Sequence, residues 1–238
     1  MGTRTDGSSP VSDQGSQVSA HFFNQSSFAS YALASESKTV KVNKDLPIEL
    51  LGPLGCGIQT GAGSIMHALA CDAGSSIAIY GGGSVGLAAV MGAVIQECST
   101  IILVEPMESR RQLALSLGAT HVIDPAASDT QLSIGEICEM GVNYGFDTTG
   151  IAKVIEGAIA ALAPRGELGL VGTSSQDSPL PTFNPSMLLT GQKIRGICEG
   201  EVDPQQFIPL LLDHYENGSF PFDRLITTYP FDQINEAI

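Results

Sequence analysis

The 238-residue chain carries 11 Lys+Arg against 25 Asp+Glu, a formal charge of −14, with 43% hydrophobic and 15% charged residues. Such a composition describes a globular chain of one or two domains and excludes the positive footprint that nucleic acid or an anionic membrane surface requires. Cys56, Cys71, Cys98, Cys138 and Cys198 form no CxxC pair, which argues against a disulfide framework; with no membrane-length apolar run and no charged-then-apolar start, a cytoplasmic protein is expected.

Residues 1–17 offer little to bury and are expected to be loop or disordered chain. Alternating segments at 18–23, 27–33 and 39–42 have the pattern of antiparallel strands, too few to close a core. Pro47 opens a helical stretch that 54–61 interrupts, and a second helix is expected over 62–71. A buried strand at 77–80, the turn Gly81-Gly82-Gly83-Ser84-Val85-Gly86, a helix over 84–95 and a strand at 100–104 ending on Glu105 follow. A helix over 109–117 starts on Ser109 and stops at Gly118. Strands are then expected at 120–123 and 143–148, a helix at 151–162, a turn at Pro164-Arg165-Gly166, and strands at 167–172 and 193–198. Asp203-Pro204 caps a helix over 205–217, and the chain stops inside an expected helix at 231–238. Strands alternating with helices in this way predict an α/β fold, a doubly wound parallel sheet with right-handed crossovers.

The glycine turn carries the chemistry. Gly81 permits the tight turn, Gly83 lets backbone approach a diphosphate, and Gly86 lets the helix sit against the strand. The helix N-terminus beyond it, from Ser84 on, offers free N–H groups and a positive dipole end. Glu105 then closes the second strand where a ribose hydroxyl needs an acceptor. A plain structural turn is the competing reading in a chain with 27 glycines, but the strand-turn-helix-strand-acid context favours a nucleotide.

Several segments together are similar to one family. Gln25-Ser26-Ser27-Phe28-Ala29-Ser30-Tyr31-Ala32, Gly55-Cys56-Gly57-Ile58-Gln59-Thr60-Gly61, the glycine turn, Leu117-Gly118-Ala119-Thr120-His121-Val122-Ile123, Phe146-Asp147-Thr148-Thr149-Gly150 and Phe222-Asp223-Arg224-Leu225-Ile226 stand in that family's order. From Phe23 to Ile238 the chain resembles the zinc-dependent medium-chain alcohol dehydrogenases, and most closely their aryl or benzyl alcohol branch. The resemblance implies a Rossmann NAD-binding domain at 58–198, a remnant of a GroES-like β catalytic domain at 1–57, and a return segment at 199–238. Both ends read as cut.

The resemblance also assigns residues. Cys56 falls on a ligand of the catalytic zinc, and its place on a turn before a helix leads us to expect a lowered thiol pKa. Thr60 and Val85 fall beside the nicotinamide ring, and Gly172 and Thr173 where backbone flanks it. Glu105 stands where most relatives have Asp, which favours NAD over NADP. Arg110 takes the place of a basic residue on the same ribose, and Arg110 and Arg111 are the groups that would favour a 2′-phosphate. The other zinc ligands and the proton relay of the family have no counterpart in this sequence, so zinc is expected only in the intact protein. His67 reads as a packed helix histidine, and His21, His121 and His214 carry no motif.

The resemblance thus implies hydride transfer between a primary, in this branch aromatic, alcohol/aldehyde pair and NAD, in a chain expected to be inactive by itself. The alternative is a non-catalytic nucleotide-binding or dimerisation module that pairs copies through its sixth strand. A methyltransferase also uses a glycine turn and an acid, but leaves the Cys56 turn and Asp147-Thr148-Thr149-Gly150 unexplained.

Overall fold

The computed structural model describes residues 6–9, 11–18, 31, 34–174, 182 and 185–237, with the side chains of 187 and 188 left aside. They fall into two compact units, 1–41 and 42–238.

In the first unit, strands β1 (Val11–Asp13) and β2 (Ser16–Val18) form an antiparallel hairpin with Val11 opposite Val18. A loop was the expectation for this stretch. Gln14 and Gly15, at φ 46° and 84°, supply the two left-handed residues that a tight hairpin turn needs, and polar strands suffice for so short a ladder. The expected strand at 27–33, apart from residue 31, and most of that at 18–23 lie outside the described residues. Residues 39–42 form no strand; a 3₁₀ turn at Glu36–Lys38 precedes them and no described segment pairs with them.

The second unit begins with 3₁₀ turns at Ile48–Leu50 and Gly52–Gly55, then helix α1 (Gly57–Gly63), which continues into a π-helical turn, Ser64–Ala68. The helix therefore starts directly after Cys56 rather than at 62. The glycines that suggested a break are packing residues: a Cβ on Gly61 would lie 2.1 Å from the Val85 carbonyl oxygen. Only a bare backbone lets α1 lie so close to the next helix.

Six parallel strands follow: β3 (Ser76–Tyr80), β4 (Thr100–Val104), β5 (His121–Ile123), β6 (Val142–Asp147), β7 (Leu162–Leu170) and β8 (Lys193–Gly196), in the order β5-β4-β3-β6-β7-β8. Helices α2 (Ser84–Ile95), α3 (Glu108–Ser116), α4 (Thr130–Ile137) and α5 (Ala152–Ala160) connect the first five, and α6 (Pro204–Glu216) and α7 (Ile234–Ala237) follow β8. The chain leaves the sheet at its β5 edge and returns beside β3, so strand order reverses between β3 and β6. In such sheets the carboxyl ends at the reversal open a crevice.

Helix α4 went unread in the sequence, although Asp129 is a clear N-cap whose carboxylate accepts from the Gln131 and Leu132 amides at 2.9 and 3.0 Å. The expected turn at Pro164-Arg165-Gly166 lies inside β7: the register slips between Val142 and Tyr144, and Arg165 takes φ 65°, so the strand absorbs the turn residues as a bulge. Ile77, Ala78, Ile79, Ile102 and Leu103 are buried, as expected of strands covered on both faces. Against one face pack Ile134 of α4 and Ile155, Ala158 and Ile159 of α5. Each fully buried large apolar side chain of this kind stabilises by about 1.5–3 kcal/mol. Among the described residues no helix is long and apolar enough to cross a membrane.

Candidate functional site

The glycine turn is built by close approaches. Gly81 sits at φ 97°, and a Cβ on Gly86 would lie 1.8 Å from the Gly81 carbonyl oxygen, so the turn folds back onto the first turn of α2. Leu87 N–H donates to the Gly83 carbonyl at 2.9 Å, the first bond of the helix, so the amides of Ser84, Val85 and Gly86 precede the intrahelical ladder. Gly83 differs from its neighbours. Its φ of −74° suits any residue, and a Cβ there would meet no protein atom within 4 Å. Nothing in the protein requires glycine at this position; a ligand approaching the backbone would.

Glu105 is only 3% exposed and closes the other side of the turn. Its carboxylate accepts from Gly82 N–H at 2.6 Å and from Met107 N–H at 2.9 Å. Each carboxylate oxygen has a second lone pair, so the group can take another donor while pinning the turn. Arg110 approaches Glu105 at 3.9 Å with a side chain 47% exposed, a contact of little energetic weight by itself. Arg111 is a different kind of residue. It is buried and donates to the Glu105 and Pro106 carbonyls at 2.8 and 2.7 Å, with carboxylates of Glu108 and Asp124 at 2.7 and 3.1 Å. Its donors are engaged in holding the loop, so of the two arginines it is Arg110 that can face a ligand in the groove.

Gly81, Gly82, Gly83, Glu105 and Arg110 line one groove of about 910 Å³ at the carboxyl ends of β3, β4 and β6. Pro125, Gln131, Thr149, Ile151 and Lys153 form its far walls; Gln131 and Lys153 escape the motif spacing because α4 and α5 bring them in from elsewhere in the chain. Beneath the groove, Asp147 is buried and accepts from the Thr149 hydroxyl at 2.7 Å and the Gly150 amide at 2.9 Å. Burial, and then the negative Asp147, push the Tyr80 phenol well above its ordinary pKa.

The remaining predicted residues gather on the other side of the α2 N-terminus. Gly57 at the start of α1 lies against Ser84 and Val85. Thr60 donates through its hydroxyl to Glu199 Oε2 at 3.3 Å, Gln59 Nε2 donates to the same oxygen at 3.3 Å, and the Cys56 thiol donates to Glu199 Oε1 at 3.8 Å. Glu199 was not singled out in the sequence, and no spacing signal points to it. It reaches this place because Glu199, Gly200 and Glu201 all adopt positive φ, wedging the loop after β8 against α1. Its effect corrects the expectation for Cys56: partial burial and the neighbouring carboxylate raise the thiol pKa rather than lower it. Gly172 and Thr173 pack on Gly150, whose φ of 65° and close backbone contacts explain both glycines.

Among the described residues no three His, Cys, Asp or Glu side chains come together as metal ligands. Cys56 and Glu199 fall short of the three protein ligands that a catalytic zinc takes, so the residues present do not hold one.

Residues 84–216 match the family model for zinc-binding dehydrogenases. The chain belongs to the zinc-binding dehydrogenase family. The chain is 48% identical over 236 residues to geraniol dehydrogenase of Castellaniella defragrans, covering 99% of itself and 63% of that protein. It superposes on benzyl alcohol dehydrogenase of Acinetobacter calcoaceticus with a TM-score of 0.92 at 44% identity, covering 99% of itself and 64% of that chain. An alcohol dehydrogenase zinc-binding domain protein of Burkholderia ambifaria gives a TM-score of 0.93 at 48% identity, with the same coverage. The chain thus spans about 63% of the length of the curated relative it matches at 48% identity.

Proposed function

We propose that the chain is the nucleotide-binding part of an NAD-dependent alcohol dehydrogenase that interconverts a primary alcohol, aromatic ones included, and its aldehyde. The observation that carries the reading is Gly83, a glycine with ordinary φ and empty space at its Cβ, facing a groove whose other wall is the acceptor Glu105. A diphosphate fits against the bare backbone from Gly81 to Gly83 and the amides of Ser84, Val85 and Gly86. Glu105 accepts from the adenosine ribose hydroxyls and repels a 2′-phosphate, and Arg110 lies over the same sugar. Bound NAD supplies the hydride acceptor at its nicotinamide. Thr60 and Val85 touch that ring, and the backbone of Gly172 and Thr173 flanks it. In the intact protein Cys56 would be one ligand of a catalytic zinc, which the residues described here do not hold. The alcohol substrate rests on the likeness to proteins named geraniol and benzyl alcohol dehydrogenase. The second unit holds the dinucleotide site and Cys56 opens α1 at its edge, in a cytoplasmic protein.

The test is calorimetric titration of the purified chain with NADH and with NADPH. NADH is expected to bind and NADPH at least about tenfold more weakly, from the loss of roughly 1.4 kcal/mol through charge repulsion. Equal binding, or a preference for NADPH, overturns the assignment of Glu105.

A second reading rests on β8, which pairs only with β7 in the described sheet and leaves a row of backbone groups at the edge. Pairing of this edge with a second copy would extend the sheet. A monomer by analytical ultracentrifugation at high concentration refutes it.

A further inference from the structure

Across the α2 N-terminus from Glu105, the loop after β8 brings a single carboxylate to the start of α1. Glu199 Oε2 accepts from Gln59 Nε2 and from the Thr60 hydroxyl, both at 3.3 Å, and Oε1 accepts from the Cys56 thiol at 3.8 Å. All three donors are uncharged, and among the described residues no Lys or Arg forms an ion pair with Glu199. Its neighbour differs: Glu201 is paired with Arg195, whose Nη1 also donates to the Ala68 carbonyl at 2.9 Å and anchors the loop to the π-helical turn. The backbone bends to deliver the carboxylate. Glu199 and Glu201 take φ 51° and 56°, left-handed values that burden any residue with a side chain. Gly200 between them lies so close to α1 that a Cβ there would meet the Gln59 carbonyl oxygen at 2.9 Å. Gln59, only 3% exposed, gives Nε2 to the Gly55 carbonyl at 3.1 Å and to Glu199, and its Oε1 has no partner among the described residues. A carboxylate without a counter-ion, set by two left-handed residues beside an unpaired buried amide oxygen, is more than packing requires. Such strain persists where a ligand uses it.

We propose that Glu199 is the positioning residue of the nicotinamide half of the site: it holds Thr60, and its negative charge favours the oxidised, cationic ring over the reduced, neutral one. The inference rests on the reading of the glycine turn as the seat of a dinucleotide. On that reading the diphosphate lies at the amides of Ser84, Val85 and Gly86, and Glu105 takes the ribose on one side. The second nucleoside leaves the diphosphate on the other side. There the start of α1 lies against the same helix turn, since a Cβ on Gly57 would be 3.2 Å from Ser84 Oγ and 3.7 Å from Val85 Cγ2, and Thr60 follows one turn on. Thr60 is 9% exposed. Its bond to Glu199 selects one χ1 rotamer of a β-branched side chain and so fixes where the methyl group stands. The charge behind that hydroxyl acts on the ring. At a separation of roughly 7 Å, between the dielectric of a protein surface and that of bulk water, two unit charges change an equilibrium about three- to fiftyfold. Accepting hydride removes the positive charge of the ring. Glu199 therefore strengthens binding of the form that accepts hydride and leaves the reduced form without that attraction.

The test is calorimetric titration of the full chain with oxidised NAD, with NADH and with ADP-ribose, which carries the diphosphate and both riboses but no nicotinamide. Glu199→Gln keeps the size and an accepting oxygen and removes the charge. It is expected to weaken NAD relative to NADH by at least about threefold and to leave ADP-ribose binding unchanged. Glu199→Asp keeps the charge and should hold the NAD-to-NADH ratio within a factor of about two of the parent. Glu97→Gln removes the same charge from the turn before β4, at the opposite end of the sheet, and should not move the ratio. Loss of a merely structural contact would weaken NAD and NADH alike. Should Glu199→Gln fail to melt cooperatively, Glu199→Ala takes its place with the same expected change of ratio. A ratio that stays with the parent in the uncharged variant, falls as far in Glu199→Asp, or falls equally in Glu97→Gln overturns the proposal. ADP-ribose separates this inference from the reading beneath it. If the parent binds ADP-ribose and the ratio does not move, only the role of Glu199 falls; if the parent binds none of the three, the dinucleotide site falls and this inference with it.

Discussion

Gly83→Ala separates binding from folding, and the two effects have opposite signs. At φ −74° an alanine is unstrained, and its methyl group meets no protein atom within 4 Å. Folding stability should therefore stay level or rise by about 0.4–1 kcal/mol, because alanine has fewer unfolded conformations to lose. The methyl group stands where a diphosphate oxygen must come. Losing one charge-assisted hydrogen bond there costs about 1.5–3 kcal/mol, or roughly 10- to 150-fold in NADH affinity. Gly86→Ala is the opposite control. Its Cβ would lie 1.8 Å from the Gly81 oxygen, where ordinary contact begins near 3.4 Å, so the turn must open. Overpacking of this kind costs about 1–3 kcal/mol, a fall of roughly 3–10 °C in a chain of this size. Differential scanning fluorimetry and calorimetric NADH titration on the two variants supply both readouts. An intact Gly83→Ala that binds NADH as tightly as the parent would refute the argument that the bare backbone is there for a phosphate.

Other substitutions probe the supports of the turn. Glu105→Ala removes the acceptor for Gly82 and Met107 N–H and should cost about 2 kcal/mol in a urea melt, with NADH binding lost; unchanged stability would mean that the carboxylate does not pin the turn. The adjacent arginines should behave in contrasting ways. Arg111→Ala leaves Asp124 and two carbonyls without their buried donor and should cost about 3 kcal/mol, whereas Arg110→Ala should cost under about 1 kcal/mol yet weaken NADH binding severalfold; equal effects would erase the distinction drawn from burial. Gly61→Ala, with a Cβ 2.1 Å from the Val85 oxygen, should lower the melting temperature by several degrees, roughly 1–3 kcal/mol, by parting α1 from α2; a variant that melts with the parent would contradict that contact.

Much of the parallel sheet was legible in the sequence because buried parallel strands are short apolar runs and their helices carry local start and stop signals. Ile77 to Tyr80, Thr100 to Val104 and the glycine turn between them need no distant residue to be recognised. The same locality explains the misreadings. Gly57 and Gly61 look like helix breakers until α2 is seen lying against them, and Pro164-Arg165-Gly166 looks like a turn until β6 is seen to draw it into a bulge. The hairpin at 11–18 escaped notice because its strands have nothing to bury, so only the backbone preference of Gln14-Gly15 could reveal it.

By itself, then, the sequence determined the strands and helix around the glycine turn and the turn with its acid, since local propensity and spacing encode both. The tertiary structure decided which wall each residue joins. Lys153 and Gln131 enter the groove through helices that the sheet order sets opposite the turn. Glu199 meets Cys56 across 143 residues because three left-handed residues turn its loop onto α1, and a through-space contact of that kind leaves no mark in periodicity.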